Sequence, residues 1–316
     1  MATLPVASEH GASPAGSRLT TILPTIAPFV FVFLWSTGFI SAKYGLRDAE
    51  PLTFLAIRMV VASVVLALVA AAMRSAWPRD RRAYRDTAVA GLLLHAGYLG
   101  GVFVAIDHGM PAGLSSIIIG LQPILTAVLA QSMLGEGVTR RQWLGLGLGF
   151  GGVGLVVVER MRANGGSTTD IEVVAFVAIA VGLLSTTMGT IFQKRTGQRT
   201  PLMTGTAIQY GAAAIVLWVG AVSTEDLAVD WSGRLLAVFA WSIVVMSFGA
   251  ITLLMLMIRQ SSVSRISGYL YLVPPLTALE AYLLFDERLT GLALVGMAAV
   301  VVGVALVVVT RGQSPR

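Results

Sequence analysis

The chain has no cysteine, three histidines and few charges: only 12% of its 316 residues are Asp, Glu, Lys or Arg. The missing cysteine excludes disulfides and thiolate chemistry, and says nothing about compartment. Three histidines do not build a His-rich metal site, and no metal or other cofactor is expected. The shortage of charge bears on class. A soluble domain carries roughly 25% charged residues, whereas this chain is 56% hydrophobic with a mean hydropathy of +0.81. A soluble fold of this length could not hide so much apolar surface, so the bilayer is the solvent. The net charge of +6 could mark a nucleic-acid binder. The arginines sit between apolar spans, where they orient a membrane protein instead, and no nucleic acid is expected. The motifs GxSxG and HExxH are also missing, which leaves an intramembrane enzyme as the weaker alternative.

What is present is a series of apolar runs near the roughly 20 residues that one bilayer crossing needs. The pattern predicts an all-α polytopic membrane protein with ten transmembrane helices, at about 24–46, 51–73, 86–107, 111–134, 142–160, 172–194, 201–222, 233–258, 262–285 and 290–310. Residues 1–23 are Ala, Ser, Gly and Pro-rich, lack the features of a signal peptide, and read as a flexible tail. Residues 311–316 form a second tail. Alternate loops differ in basic charge. One side collects Arg18, Arg74, Arg79, Arg81, Arg82, Arg85, Arg140, Arg141, Lys194, Arg195, Arg199, Arg259, Arg265, Arg311 and Arg316. The other has Lys43, Arg47, Arg160, Arg162, Arg234 and Arg288. The positive-inside rule then puts both termini in the cytoplasm of a multi-pass inner-membrane protein.

The stretch Leu121 to Val158 repeats. Moved forward by 151 positions it meets Leu272 to Val309, with about 15 of 38 positions identical and no gap. Pro123 falls on Pro274, Leu125-Thr126-Ala127 on Leu276-Thr277-Ala278, Glu136 on Glu287, and Gly152-Val153 on Gly303-Val304. This divides the chain into a first five-helix repeat at 24–162, a linker at 163–171 and a second repeat at 172–310. An odd number of helices per copy makes the second copy enter the membrane in the opposite sense. Such inverted repeats are typical of secondary transporters, whose site lies between the halves near the midplane.

Several stretches together resemble the EamA-type transporters of the drug/metabolite transporter superfamily. They are Trp35 to Phe39 with Lys43, Pro51 to Arg58, Ala112 to Ser116, Pro123 to Thr126 and Leu134-Gly135-Glu136. Looser echoes follow in Pro201-Leu202 with Gln209, Pro274, and Glu287 to Thr290. The resemblance covers nearly the whole chain outside the tails and looks most like bacterial amino-acid exporters, including those for aromatic amino acids. It implies a small-molecule substrate exported by alternating access. One departure is electrostatic: Gln209 stands where the first half has Arg58.

Candidate pathway residues are the polar and aromatic groups inside spans. Arg58 lies about 10 Å along the second span at 1.5 Å per residue. A buried arginine either forks a substrate carboxylate or bonds helix-end carbonyls. Glu280, in the ninth span with Tyr269 eleven residues earlier, either holds an amino group, carries a proton, or is a shallow hydrogen-bonded glutamate. His95 and Tyr98 lie one turn apart on the third span, as cavity lining or as interhelical glue. Ser115, Ile119, Gln122 and Thr126 form one polar stripe along the fourth. Thr206 and Gln209 make a smaller face on the seventh, and Ser185-Thr186-Thr187 lie on the sixth. Trp35, Trp241 and Tyr271 add aromatic surface, while Asp107-His108 read as an exposed loop. Pro123 and Pro274 remove backbone donors and are hinge candidates. The glycines from Gly145 to Gly154 read as helix packing, between halves or between protomers, so monomer and homodimer both stay open. Import, another metabolite or a drug as substrate, and proton coupling are not separable from sequence.

Overall fold

The computed structural model describes residues 14–133, 139–163, 172–196, 200–250, 253, 270–287 and 290–309. Among them, eight helical segments are long and apolar enough to cross a membrane, counting the interrupted Ala112–Leu129 as one. They are accompanied by two shorter apolar helices, Leu270–Phe285 and Gly291–Leu306. The only β-type contact among the described residues is an isolated bridge between Ala49 and Val229.

Helix α1 runs Pro14–Gly45. It starts ten residues before the expected span, so residues 14–23, read above as tail, are helical. Proline suits a helix start, because its missing N–H has no intrahelical acceptor there. Helix α2, Pro51–Ala72, begins the same way. Helix α3, Arg81–Asp107, also starts early, because the Asp80 side chain accepts from Ala83 N at 2.6 Å and caps it. Over Leu92–Gly97 it widens into π-helical turns.

The fourth expected span is two helices, α4 at Ala112–Ile119 and α5 at Gln122–Met133. The sequence reading placed a bend at Pro123, but the interruption falls at Gly120-Leu121. Pro123 has no N–H for a carbonyl one turn back, and its ring disfavours helical geometry in the residue before it. The chain therefore leaves the helix earlier and restarts with Pro123 in the first turn of α5. The stripe from Ser115 to Thr126 consequently crosses a break and is not the face of one helix.

Helix α6 is Arg140–Ala163, α7 Val173–Thr196, α8 Leu202–Thr224 and α9 Gly233–Ala250. From Trp241 onward α9 has π-helical turns too. Helix α10, Leu270–Phe285, opens with a 3-10 turn that leads into Pro274, and α11 is Gly291–Val309.

The helix pairs α2–α8 and α6–α11, each related by the 151-residue offset, pack antiparallel. In α2 and α8, Ser63 Oγ donates to Ala207 O at 2.9 Å, while Thr53 N, at the start of α2, donates to Glu225 just past the end of α8. Helices α6 and α11 meet through glycine, since a Cβ at Gly152 would stand 2.4 Å from Gly296 O. Gly303 meets Gly145 in the same way. The glycine stretch thus packs the two halves together, one of the two uses expected for it. The remaining contacts are paired across the halves. Helix α3 lies on α7 as α9 lies on α1, and α1 lies on α10 as α7 lies on α5. Large aliphatic side chains such as Val64, Leu68, Ile215 and Val219 face outward unburied, as lipid-facing positions do.

Candidate functional site

Polar side chains gather in two places inside the bundle. The first is where α2, α3, α8 and α9 meet. Arg58 is 6% exposed. Its Nη2 donates a long hydrogen bond of 3.4 Å to Ser242 O, and its Nε has no partner. No carboxylate lies within ion-pair distance of it among the described residues. The Ser242 carbonyl also receives Ser247 Oγ at 3.2 Å, within the π-helical part of α9. Tyr210 OH donates to Ser247 Oγ at 3.4 Å, and its ring meets the His95 ring edge-on with centroids 4.5 Å apart. His95 Nε2 and Gln209 Oε1 are 3.3 Å apart. Tyr98, Tyr210 and His95 all lie within Coulombic range of Arg58. A buried guanidinium costs several kcal/mol unless something anionic or strongly dipolar faces it. Here phenols, an imidazole and a carbonyl do so, and no acidic side chain pairs with it among the described residues.

The second place lies between α1, the α4–α5 break, α10 and α11. A cavity of about 60 Å³ is lined there by Trp35, Gln122, Pro123, Tyr271 and Pro274, with Val300 and neighbouring valines closing it. Gln122 Nε2 donates to Thr190 Oγ1 at 2.8 Å, which ties the break to α7. Beside the cavity-lining residue Trp35, Ser36 Oγ donates to Glu280 Oε1 at 2.7 Å. Glu280 is 9% exposed and its Oε2 has no partner. Glu280 is thus a buried, hydrogen-bonded glutamate. The hydroxyl of Tyr271 is buried and unpartnered as well.

The two places are linked. Trp241 Nε1 donates to Thr37 Oγ1 at 3.0 Å. Trp241 precedes the residue whose carbonyl holds Arg58, and Thr37 follows the residue that holds Glu280. A buried cation and a buried carboxylate are thus joined through one hydrogen bond between α1 and α9.

The candidates sort accordingly. Arg58, His95, Tyr98 and Gln209 come together in the first place. Trp35, Gln122, Pro123 and Pro274 line the second, with Glu280 beside it. Ser115 belongs to neither. It is buried with its hydroxyl unpartnered, and the next residue, Ser116, lines the cavity instead. Thr206 turns back on its own helix, donating to Leu202 O at 2.8 Å. Tyr269 lies outside the described residues. Sequence reasoning missed Ser36, Thr190, Tyr210, Ser242 and Ser247. Each is an ordinary residue in an apolar span, and nothing in the local pattern marks it.

One end of the bundle is held by charged contacts between the halves. Glu225 accepts from Leu52 N at 2.7 Å and Thr53 N at 2.8 Å, capping α2. Asp48 accepts from Arg234 and, at 3.0 Å, from Ser232 Oγ. The Arg234 hydrogen bond holds the Asp48 carboxyl below its ordinary value, against the opposing pull of burial. His108, expected as exposed loop, is only partly exposed and stands 3.8 Å from Glu172. Lys43 and Glu287 form a further ion pair. At the opposite end the described contacts between halves are hydroxyl bonds, Thr87 with Thr200 at 3.3 Å and Thr204 to Ala76 O at 3.0 Å.

The model of the EamA-like transporter family matches twice, over residues 24–158 and 173–309. The uncharacterized inner membrane transporter YedA of Escherichia coli (strain K12) is 25% identical over 306 residues, covering 94% of this chain and 95% of its own. A probable amino-acid metabolite efflux pump of the same strain is 23% identical, covering 88% of this chain and 92% of its own. A crystal structure of 18% identity superposes with a TM-score of 0.63 over 92% of this chain and 99% of that one, which shows the fold alone.

Proposed function

Because the chain belongs to the EamA-like transporter family, we propose that it exports amino acids or similar small metabolites across the inner membrane by alternating access. The observation that carries this reading is Arg58, a buried guanidinium inside a span with no acidic partner among the described residues. A guanidinium is a planar fork of donors that matches a carboxylate and holds it through two parallel hydrogen bonds. A bound carboxylate would supply the missing counter-charge. Glu280 is suited to the ammonium end of the same molecule, and Trp35 and Tyr271 to an apolar side chain. The name of the related efflux pump agrees with an amino-acid-type cargo.

The cavity of about 60 Å³ is small beside the roughly 300–1,000 Å³ of a typical ligand pocket. Passage therefore needs the helices around it to part. The two interruptions beside it, at Gly120-Leu121 and ahead of Pro274, are where the helices would bend, because backbone bonds are already missing there.

In this reading ten helices form two five-helix copies threaded through the membrane in opposite senses, with both termini in the cytoplasm. Purified protein in liposomes, loaded with a panel of amino acids with and without a pH gradient, tests the function and its coupling. Efflux of at least one amino acid is expected. Neither movement nor binding of any would defeat the proposal. Labelling at the Arg140 and Glu287 ends from opposite faces of the membrane tests the threading.

A further inference from the structure

Glu287 joins three separate elements. Its Oε1 pairs with Lys43 Nζ, near the end of α1, and accepts from Ala112 N at 3.3 Å. Its Oε2 accepts from Gly113 N at 3.3 Å. One carboxylate therefore ties the turn after α10 to α1 and to the start of α4. Both partners suit it. Lys43 brings the opposite charge, and the free amides at a helix start carry partial positive charge. Lys43 also stands over the Phe285 ring, 4.6 Å from its centre, and Phe285 packs on Tyr44 with centroids 4.8 Å apart.

The rest of this seam has a regular register. Ser36 meets Glu280, and seven residues further along both helices Lys43 meets Glu287. Helices α1 and α10 thus run parallel, joined at two levels two turns apart. The outer level is ionic and partly wet, with 31% of the Lys43 side chain and 11% of the Glu287 side chain exposed. The inner level is buried. Deeper still, the two helix interruptions touch, since a Cβ on Gly120 would stand 3.0 Å from Pro274 Cγ. Helix α4 and the main part of α10 therefore extend from one shared pair of breaks and are held together at their far ends by Glu287.

We propose that Glu287 is the latch of a gate at this end of the transporter, the end that the charge asymmetry puts outside. While it holds Lys43 and the Ala112 and Gly113 amides, the outer segments of α1, α4 and α10 stay together over the cavity. When it lets go, α4 and α10 are free to swing about the Gly120 and Pro274 breaks and open the cavity outward. Partly hydrated contacts suit this role, because water replaces each lost hydrogen bond as the gate parts. The sequence carries the same two residue types crosswise at the 151-residue offset, Lys194 for Lys43 and Glu136 for Glu287. That echo is a fact of sequence only, for Glu136 lies outside the described residues.

The gate rests on the transport reading above, so its test needs one arm without transport. The native chain has no cysteine, and introduced thiols react without background. In the first arm, Ser116→Cys, whose position lines the cavity, is labelled in vesicles with a membrane-impermeant maleimide added from the Glu287 face. Adding Glu287→Gln should speed labelling at least five-fold. Reversing the pair, with Lys43→Glu and Glu287→Lys together, should bring the rate back toward that of the single variant. An unchanged rate in Glu287→Gln overturns the latch whether or not a substrate is ever found. In the second arm, Lys43→Cys with Glu287→Cys is joined by a reductant-cleavable bis-methanethiosulfonate. Amino-acid efflux should fall at least ten-fold and return on reduction. Full efflux while cross-linked overturns the gate. Absence of efflux before cross-linking and in the native chain counts against the proposed function, and leaves the labelling arm to decide the latch.

Discussion

The two halves hold the same place in the fold with different chemistry. Arg58 on α2 and Gln209 on α8 are equivalent by the 151-residue offset. Each reaches into the π-helical stretch of the opposite half, Arg58 to the Ser242 carbonyl and Gln209 to His95. A π-turn leaves backbone groups off the regular i→i−4 ladder and recurs at functional sites. Both halves therefore offer a polar socket at the same depth, and only one fills it with a charge. Glu280 follows the same rule, since its equivalent in the first half is Leu129. The lesson is that the duplicated framework provides symmetric packing and bending points. The departures from symmetry supply the charges a polar cargo would meet.

Making the halves alike is the strongest way to break this comparison. Arg58→Gln gives α2 the side chain that α8 has. Losing a buried charged hydrogen-bond partner costs about 2–5 kcal/mol, or roughly 30-fold or more in affinity. Substrate binding measured calorimetrically should fall by that order while the protein stays folded. Full affinity in the variant would remove Arg58 from the site.

The helix pair α6 and α11 sharpens the contrast between scaffold and site. Gly152→Leu would force a side chain into the Gly296 backbone, whereas nothing lies within 4 Å of a Cβ on Gly151. Overpacking costs about 1–3 kcal/mol. Gly152→Leu should lower Tm in detergent by several degrees, and Gly151→Leu should leave it nearly unchanged. Equal effects would mean that the close approach is not what holds the halves together.

A smaller effect is expected at Glu280. Glu280→Gln keeps an acceptor for Ser36 and removes the charge. A several-fold rise in KM for a zwitterionic amino acid, with little change for a cargo lacking the amino group, would place this carboxylate at the ammonium. Equal changes for both cargoes would assign it to packing.

The smallest effect is the acid response of the Asp48–Arg234 contact. Arg234 depresses the Asp48 carboxyl below 3.8, its ordinary value. The contact therefore stabilises the fold fully above that value and is lost as pH falls through the lower, folded-state value. Thermal melts of the native chain and of Asp48→Asn should differ slightly at neutral pH and converge only in strong acid. Convergence at mildly acidic pH would contradict the assignment.

Much of this was legible in the sequence, and the reason is particular. Apolar runs cannot stay in water, so composition alone required a bilayer and helices inside it. The Pro123–Pro274 and Gly152–Gly303 matches exposed the duplication, because proline and glycine act on the backbone and are hard to replace. The same residues misled on detail. Pro123 marked a weak point, but the break fell three residues earlier, where Gly120 and Leu121 could leave the helix at less cost. The polar stripe from Ser115 to Thr126 was drawn on one ideal helix, but the helix is two, and of the stripe Ile119 and Gln122 line the cavity.

What the sequence determined by itself was everything that depends on one segment meeting its solvent: apolar length, charge bias between spans, and the two copies. What only the tertiary structure decided was partnership. Lys43 with Glu287, Ser36 with Glu280, and Gln209 with His95 join residues more than a hundred positions apart. A helix pattern records which face is polar. It holds no information about which distant helix that face will meet, because that is fixed by how all the helices pack at once.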